Sequence, residues 1–299
     1  MDVAARLLHC SDLHFGDISD STDRALVDAL NGARADAVVV SGDFTMVGST
    51  REFRAARRFV DAVDHRVVAV PGNHDVPAKN LFKRFFRPLR RYTRLINPVT
   101  CDRFETDELF VLGLNSARPW DLHWNWSHGR VSRRQIEWAD GALGRKRDAQ
   151  LGVLVVHHPL FIPEGASKFR PLGRRDPLLR VLARRRVDVV LTGHLHHGRS
   201  EVHEVPLPQD PDAETEGPPS RGILLVQAGT ATSRRRRAQP HAFNELVLRR
   251  EAGDASEAGS MLEVITWTRE ADGPFEPTTK MLFERDPERP GMGWRAGRG

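Results

Sequence analysis

Cysteine is nearly missing from this chain. Cys10 and Cys101 are the whole complement, which leaves room for one bridge at most and excludes both a disulfide framework and a thiolate-based zinc site. Long apolar runs are also missing. None approaches the roughly 18–20 residues that a membrane helix needs, so no membrane span is expected. The opening stretch MDVAARLLHCSDLH lacks a basic region ahead of an apolar one and a small-residue cleavage site. No secretion signal is expected from it, and the cytoplasm is the expected compartment. Lysine is scarce: Lys79, Lys83, Lys146, Lys168 and Lys280 are all there are. Arginine therefore supplies nearly all of the positive charge behind the formal net charge of +5. The arginines are scattered, with visible clusters only at 234–237 (RRRR) and in the tail 289–299. This balance suits an anionic partner, whether a phosphate ester or a nucleic acid, and does not choose between them.

What is present is an alternation. Short β-branched runs read as buried strands: ARLLHC (5–10), AVVVS (37–41), RVVAV (66–70), LFVLGLNS (109–116), LGVLVVHH (151–158) and VDVVLTGH (187–194). Between them lie stretches with helical spacing, including TDRALVDALNGARA, TREFRAARRFVDAV, a long basic stretch at 79–96, and helices at 132–147 and 174–186. This βα rhythm predicts an α/β fold with largely parallel sheet and covering helices. After residue 198 the strand-like runs follow one another without helices, which predicts antiparallel pairing and an α+β second half. The Pro- and acid-rich stretch 206–220 reads as a loop. One domain over 1–286 is expected, with a flexible Arg/Gly-rich tail at 287–299.

The polar residues fall at particular places. The first strand stops at Asp12 and His14, which in an extended chain would point to one side. The next ends in Asp43, the third in Asn73, His74 and Asp75, and the later ones in His157 and His158 and in His194, His196 and His197. Ligands bind at the carboxyl edge of α/β sheets. Gly42, Gly72 and Gly193 precede these residues, where a strand must turn sharply and let backbone approach a ligand. Imidazole, carboxylate and amide without thiolate suit divalent Mn, Fe, Co or Zn. The number of donors exceeds the needs of one tetrahedral ion. A shared carboxylate would hold two ions about 3.5–4 Å apart.

The order D-x-H, GD, GNHD, HHP, GHLHH over residues 5 to 250 resembles the calcineurin-like metallophosphoesterase superfamily. SDLHFG, SGDFT, VPGNHD and AGTATSRRRR resemble most the class III cyclic nucleotide phosphodiesterases and their glycerophosphodiesterase relatives. The resemblance implies a four-layer αββα sandwich with two mixed β-sheets. It implies Asp12, His14 and His196 around a first metal, Asp43 as a bridging carboxylate, and Asn73, His157 and His194 around a second. His157, two positions before Pro159, matches the family ligand, and His158 does not. His74 matches the catalytic histidine. Asp75, His197 and Cys10 are left as supporting or packing residues.

The implied reaction is phosphodiester hydrolysis. Two cations acidify a shared water that attacks phosphorus, and His74 donates to the leaving alkoxide. A small phosphoester, either a cyclic nucleotide or a glycerophosphodiester, is the expected substrate, and a homo-oligomer is compatible with the sequence. Two alternatives share the superfamily signature. Leu13, where the DNA nuclease branch usually has Trp, weighs against a nuclease and against nucleic acid as partner. The intact ligand set weighs against a non-catalytic scaffold like the retromer subunit of this fold. The loop SARPWDLHWNWSHG (116–129) is a candidate substrate wall, with Trp124, His123 and Arg118 as its candidate contacts, or else a packed aromatic cluster. The run 234–237 would attract an anionic substrate or simply be solvated.

Overall fold

Three apolar strands, β1 (Asp2–Cys10), β2 (Ala37–Val40) and β3 (Val67–Ala69), pair in parallel, with Leu7 opposite Ala37 and Val38 opposite Val67. Every residue of β2 and β3 is buried, as expected for strands covered on both faces. Their alternation divides the side chains. Leu7, Val39 and Val68 enter a core between two sheets, whereas Leu8, Val38 and Val40 face helices α1 (Thr22–Gly32) and α2 (Thr50–Ala62). Helix α2 starts at a reciprocal cap in which Ser49 and Glu52 satisfy each other's backbone N–H.

The second sheet repeats the plan. Strands β5 (Leu109–Leu114), β6 (Leu151–Val156) and β7 (Val189–Thr192) are parallel and fully buried, and β4 (Arg103–Glu105) pairs antiparallel at the edge. Val111, Val153 and Leu191 point into the inter-sheet core, while Phe110, Leu112 and Leu154 meet α5 (Arg133–Leu143) and α6 (Arg175–Arg184). The later strands then split between the sheets. Strands β8 (Arg199–Pro206) and β9 (Ser220–Gln227) complete the second sheet, and β10 (His241–Arg250), β11 (Met261–Arg269) and β12 (Glu276–Arg285) extend the first from β1 as an antiparallel meander. The result is the expected four-layer αββα sandwich, with both sheets mixed. This computed structural model describes the chain apart from residues 19–20, 79–80, 120–126, 164–168, 208–219, 235–238, 252–258, 271–272, 286–291 and 298–299.

Two expectations need correction. The basic stretch at 79–96 is not one helix but two, α3 (Leu81–Phe86) and α4 (Arg90–Leu95). Pro88 lies between them; it has no N–H and its ring would clash with a carbonyl one turn back. The tail expected to be loose beyond Pro287 contains a strand, β13 (Trp294–Ala296), paired with β12. Trp294 is buried beneath the Arg285 guanidinium, 4.1 Å from its ring. Gly222 of β9 donates from its N–H to the Met292 carbonyl at 2.8 Å, so this segment joins the two sheets.

The joint is completed by a buried acid. Asp188 accepts the Gly152 N–H at 2.7 Å and pairs with Arg221 at 2.6 Å and Arg285 at 2.7 Å. Burial opposes its ionisation, but Arg285 and Arg221 overcome that and hold its carboxyl below the usual range. Asp188→Asn should therefore cost about 3–5 kcal/mol at neutral pH, because two buried guanidinium groups lose their counter-charge. A carboxyl whose pKa is depressed on folding contributes stability above its unfolded pKa of about 3.9 and loses it as the pH falls through the folded value. Urea midpoints for the two proteins should converge as the pH drops below about 4. A gap independent of pH would refute the ionic account.

Candidate metal centre

The five strands stop short of the polar residues that follow them. Asp12, His14, Asp43, His194 and His196 all have left-handed backbone, with φ of 54°, 47°, 53°, 73° and 56°. Arg174 and Arg186 are the other non-glycine residues with positive φ among those described. Such a conformation costs an ordinary residue roughly 1–2 kcal/mol, and its concentration where the carboxyl ends of the two sheets meet points to a functional site. It also corrects the sequence argument. Asp12 and His14 lie beyond the end of β1, and they converge through left-handed turns rather than by strand alternation.

Neighbouring backbone braces these turns. Asp12 N–H donates to the Gly42 carbonyl at 3.1 Å and His14 N–H to the Asp43 carbonyl at 2.9 Å. From the other side, Thr230 Oγ1 donates to the Asp12 carbonyl at 2.8 Å, Ala231 N–H to the Ser11 carbonyl at 3.1 Å, and Thr232 to the Leu13 carbonyl. The AGTATS block, whose role the sequence did not disclose, is this brace. Space is tight enough to demand glycine. A Cβ on Gly72 would lie 2.1 Å from Asp43 Oδ1, and one on Gly193 would lie 1.9 Å from Ser11 Oγ.

Side chains from the five ends meet in one cluster. His196 Nε2 lies 3.1 Å from Asp12 Oδ1 and 3.1 Å from His14 Nε2. His157 Nε2 lies 3.1 Å from Asn73 Oδ1 and 3.3 Å from Asp43 Oδ2. The two groups share a carboxylate, since the same Asp43 Oδ2 is 3.8 Å from His14 Nε2. His194 groups with His157 and His158. Asp12, His14, Asp43, Asn73 and His157 are buried, and His194 and His196 are partly exposed.

The chemistry of these contacts fits cations. His157 Nδ1 lies 2.8 Å from the Ser41 carbonyl, which can only accept, so Nδ1 carries the proton. Nε2 therefore faces the two oxygens, donating to Asp43 Oδ2 while the ring is protonated, and on losing that proton it would turn a lone pair to a cation held among them. His14 repeats it, with Nδ1 3.4 Å from the Thr45 carbonyl. Asp12 Oδ1 is buried and has no well-aligned hydrogen-bond donor among the described residues. Burial would lower the His157 pKa, but Asp43 pushes it up to about 9. Burial, then His157, pushes His194 down to about 3, keeping it in the neutral form that binds metal. Despite burial, His196 and His14 hold Asp12 well below the carboxylate range, and His157 and His74 do so for Asp43.

His74 stands beside this cluster in a single 3₁₀ turn, Asn73–Asp75. Its N–H donates to Asp43 Oδ1 at 2.8 Å, and its Nδ1 donates to the Met46 carbonyl at 2.7 Å. The ring is edge-on to His14, with centroids 4.8 Å apart. Asp75 fixes the turn, accepting from Gly72 N at 2.9 Å, Thr45 N at 3.0 Å and Phe44 N at 3.3 Å. Burial and nearby Asp43 push its pKa up to about 7.

Of the three residues expected to form a substrate wall, Arg118 alone is among the described residues. Arg118 donates from Nε to the Arg130 carbonyl at 2.8 Å, tying the two ends of the loop together. His123 and Trp124 lie outside the described residues, as do Arg235 to Arg237. The loop's far end does reach the cluster, because a Cβ on Gly129 would touch the His158 ring at 2.2 Å. His158, set aside on the resemblance, is buried with its Nδ1 2.7 Å from Ser116 Oγ, and it joins His157 and His194 in one group of imidazoles. The HHP tripeptide was its only sequence signal.

A family model for calcineurin-like phosphoesterases matches residues 5–198, and the chain belongs to that family. It is similar to the glycerophosphodiester phosphodiesterase GpdQ of Enterobacter lignolyticus, with 29% identity over 187 residues, 56% of this chain and 60% of that protein. It is also similar to a probable cyclic nucleotide phosphodiesterase of Synechococcus, with 28% identity over 164 residues, 54% of this chain and 58% of that one. The chain thus spans less than two thirds of either relative. A dimetal phosphatase from Danio rerio shares the fold, with TM-score 0.60 at 15% identity over 92% of this chain and 99% of that one.

Proposed function

We propose that the chain is a phosphodiesterase that uses two divalent metal ions to hydrolyse a small phosphodiester, a cyclic nucleotide or a glycerophosphodiester. The observation that carries this reading is Asp43 Oδ2, which stands between His14 of one donor group and His157 of the other. Asp12, His14 and His196 would hold one ion and Asn73, His157 and His194 the other, with Asp43 shared. Mn, Fe, Co and Zn all suit such donors. Bound there, the ions would supply Lewis acidity at phosphorus and acidify a water.

The chain's own residues do the rest. Hydrolysis adds water across one P–O bond, so the departing alkoxide must gain a proton. His74 is the donor in this reading: its Nδ1 is committed to Met46, which leaves Nε2 to deliver that proton. The names of the two relatives support a small diester over a monoester. The free thiols of Cys10 and Cys101 suit a reducing compartment such as the cytoplasm. Turnover of cyclic nucleotides, glycerophosphodiesters, phosphomonoesters and short DNA by the chelated and the Mn-reconstituted protein tests the proposal. Metal-dependent cleavage of a small diester ahead of the monoesters and DNA is expected. DNA as the fastest substrate would replace the reading with a nuclease.

A further inference from the structure

The stretch from α3 to α4 is chemically unlike the rest of the surface. Between Asp75 and Asp102 the sequence has no acid, yet residues 81–95 include Lys83, Arg84, Arg87, Arg90, Arg91 and Arg94. Some exposed arginines elsewhere pair with acids, as in Arg57 with Asp61 and Arg184 with Asp140. Here Arg54 of α2 joins Lys83, Arg87, Arg90, Arg91 and Arg94 around a cavity of about 380 Å³ that, among the described residues, no acidic side chain lines. Gathering like charges around one cavity is unfavourable unless an anion fills it.

Beside the cavity is an apolar knob. Phe82 and Phe86 are each 72% exposed and Phe85 43%. These are three of the few large apolar side chains on the described surface, and they share one short helix. That helix is anchored, because Arg84 is buried and donates to the carbonyls of Pro77 at 3.1 Å and Pro119 at 2.5 Å. The knob is therefore held outward on a fixed base.

We infer that α3 and α4 dock the protein on an anionic lipid bilayer, with the phenylalanines entering the acyl boundary and the arginine-lined cavity receiving headgroup phosphates. Aromatic tips ringed by cations are what an anionic membrane surface selects. Single-stranded nucleic acid also pairs with aromatics and arginine, but the geometry here suits it less. Phe82 and Phe86 pack on each other with centroids 4.7 Å apart, leaving no open platform between them for a base. Among the described residues, Thr50 is the one neutral hydrogen-bonding side chain in the cavity wall, too little to read base edges. Pro77 lines the cavity two residues beyond Asp75, and Arg91 donates to the Gly48 carbonyl at 2.6 Å. Docking would thus bring the loops around His74 to the headgroup layer. This inference stands whether or not the phosphodiesterase reading holds.

Co-sedimentation of the full chain with vesicles tests it. Binding is expected to phosphatidylcholine vesicles carrying phosphatidylglycerol and not to phosphatidylcholine alone, and it should weaken with salt. Arg87→Ser/Arg90→Ser/Arg94→Ser should lower partitioning by roughly two orders of magnitude, at about fivefold per arginine. Phe82→Ser/Phe86→Ser should lower it about tenfold or more. Both variants should keep the wild-type melting temperature and turnover of a soluble aryl phosphodiester. Hydrogen exchange on the wild-type chain needs no variant: anionic vesicles should protect residues 81–95. No binding to either vesicle, binding that leaves 81–95 unprotected, or variants that bind like wild type would each overturn the inference. So would a single-stranded oligonucleotide that protects 81–95 when vesicles do not.

Discussion

Asp43→Asn should lower metal affinity by more than about 100-fold, beyond the usual cost of losing a supporting contact around a metal. Turnover should fall with it. The substitution keeps the shape and retains an oxygen for the His74 N–H, which Asp43 Oδ1 accepts at 2.8 Å. It removes the negative charge shared by two donor groups, so both ions should be affected. His14→Ala, by contrast, removes a donor from the Asp12 group and should weaken chiefly one ion. Metal content after dialysis separates the two variants. An Asp43→Asn protein that retains its metals, or loses only one, would break the bridging assignment.

For His74→Ala the expected result is the opposite combination, metals retained and turnover lost. His74 meets the cluster through its backbone N–H and its ring edge, and its Nδ1 is engaged by Met46. On its proposed role the leaving alkoxide then lacks its proton donor, and hydrolysis of an unactivated alkyl diester should slow by about 10²–10⁴-fold. With nitrophenolate as leaving group the loss should shrink, since that anion departs unprotonated. Equal losses on both substrates would remove His74 from the leaving-group role. Loss of the metals would make it a structural residue or a ligand.

Much of this arrangement was legible in the sequence because the strands announce themselves. Val- and Leu-rich runs that end in Asp, Asn and His placed the candidate ligands at the carboxyl ends of strands, and the glycines beside them marked tight turns. What local pattern could not supply was the reason for convergence. Alternation predicted that Asp12 and His14 share a side, yet both sit in left-handed turns held by Gly42, Asp43, Thr230 and Thr232. Those braces come from residues up to 219 positions away, beyond the reach of any local signal. The Asp75 cross-tie was hidden for the same reason, since its partners are the Thr45 hydroxyl about 30 positions away and backbone N–H groups. Periodicity also continued the basic helix through Pro88, which divides it. At the chain's end, Arg and Gly suggested looseness, but Trp294 is buried under Arg285 and the Met292 carbonyl accepts from Gly222 of β9. Together they draw this segment between the sheets.

The most direct test of the two-metal account is a titration of the fully chelated protein with Mn(II), following bound metal and turnover of bis(4-nitrophenyl) phosphate in the same samples. Turnover should be absent without metal and should reach its plateau only at two equivalents per chain. Full turnover in the chelated protein, or a plateau already reached at one equivalent, would contradict it.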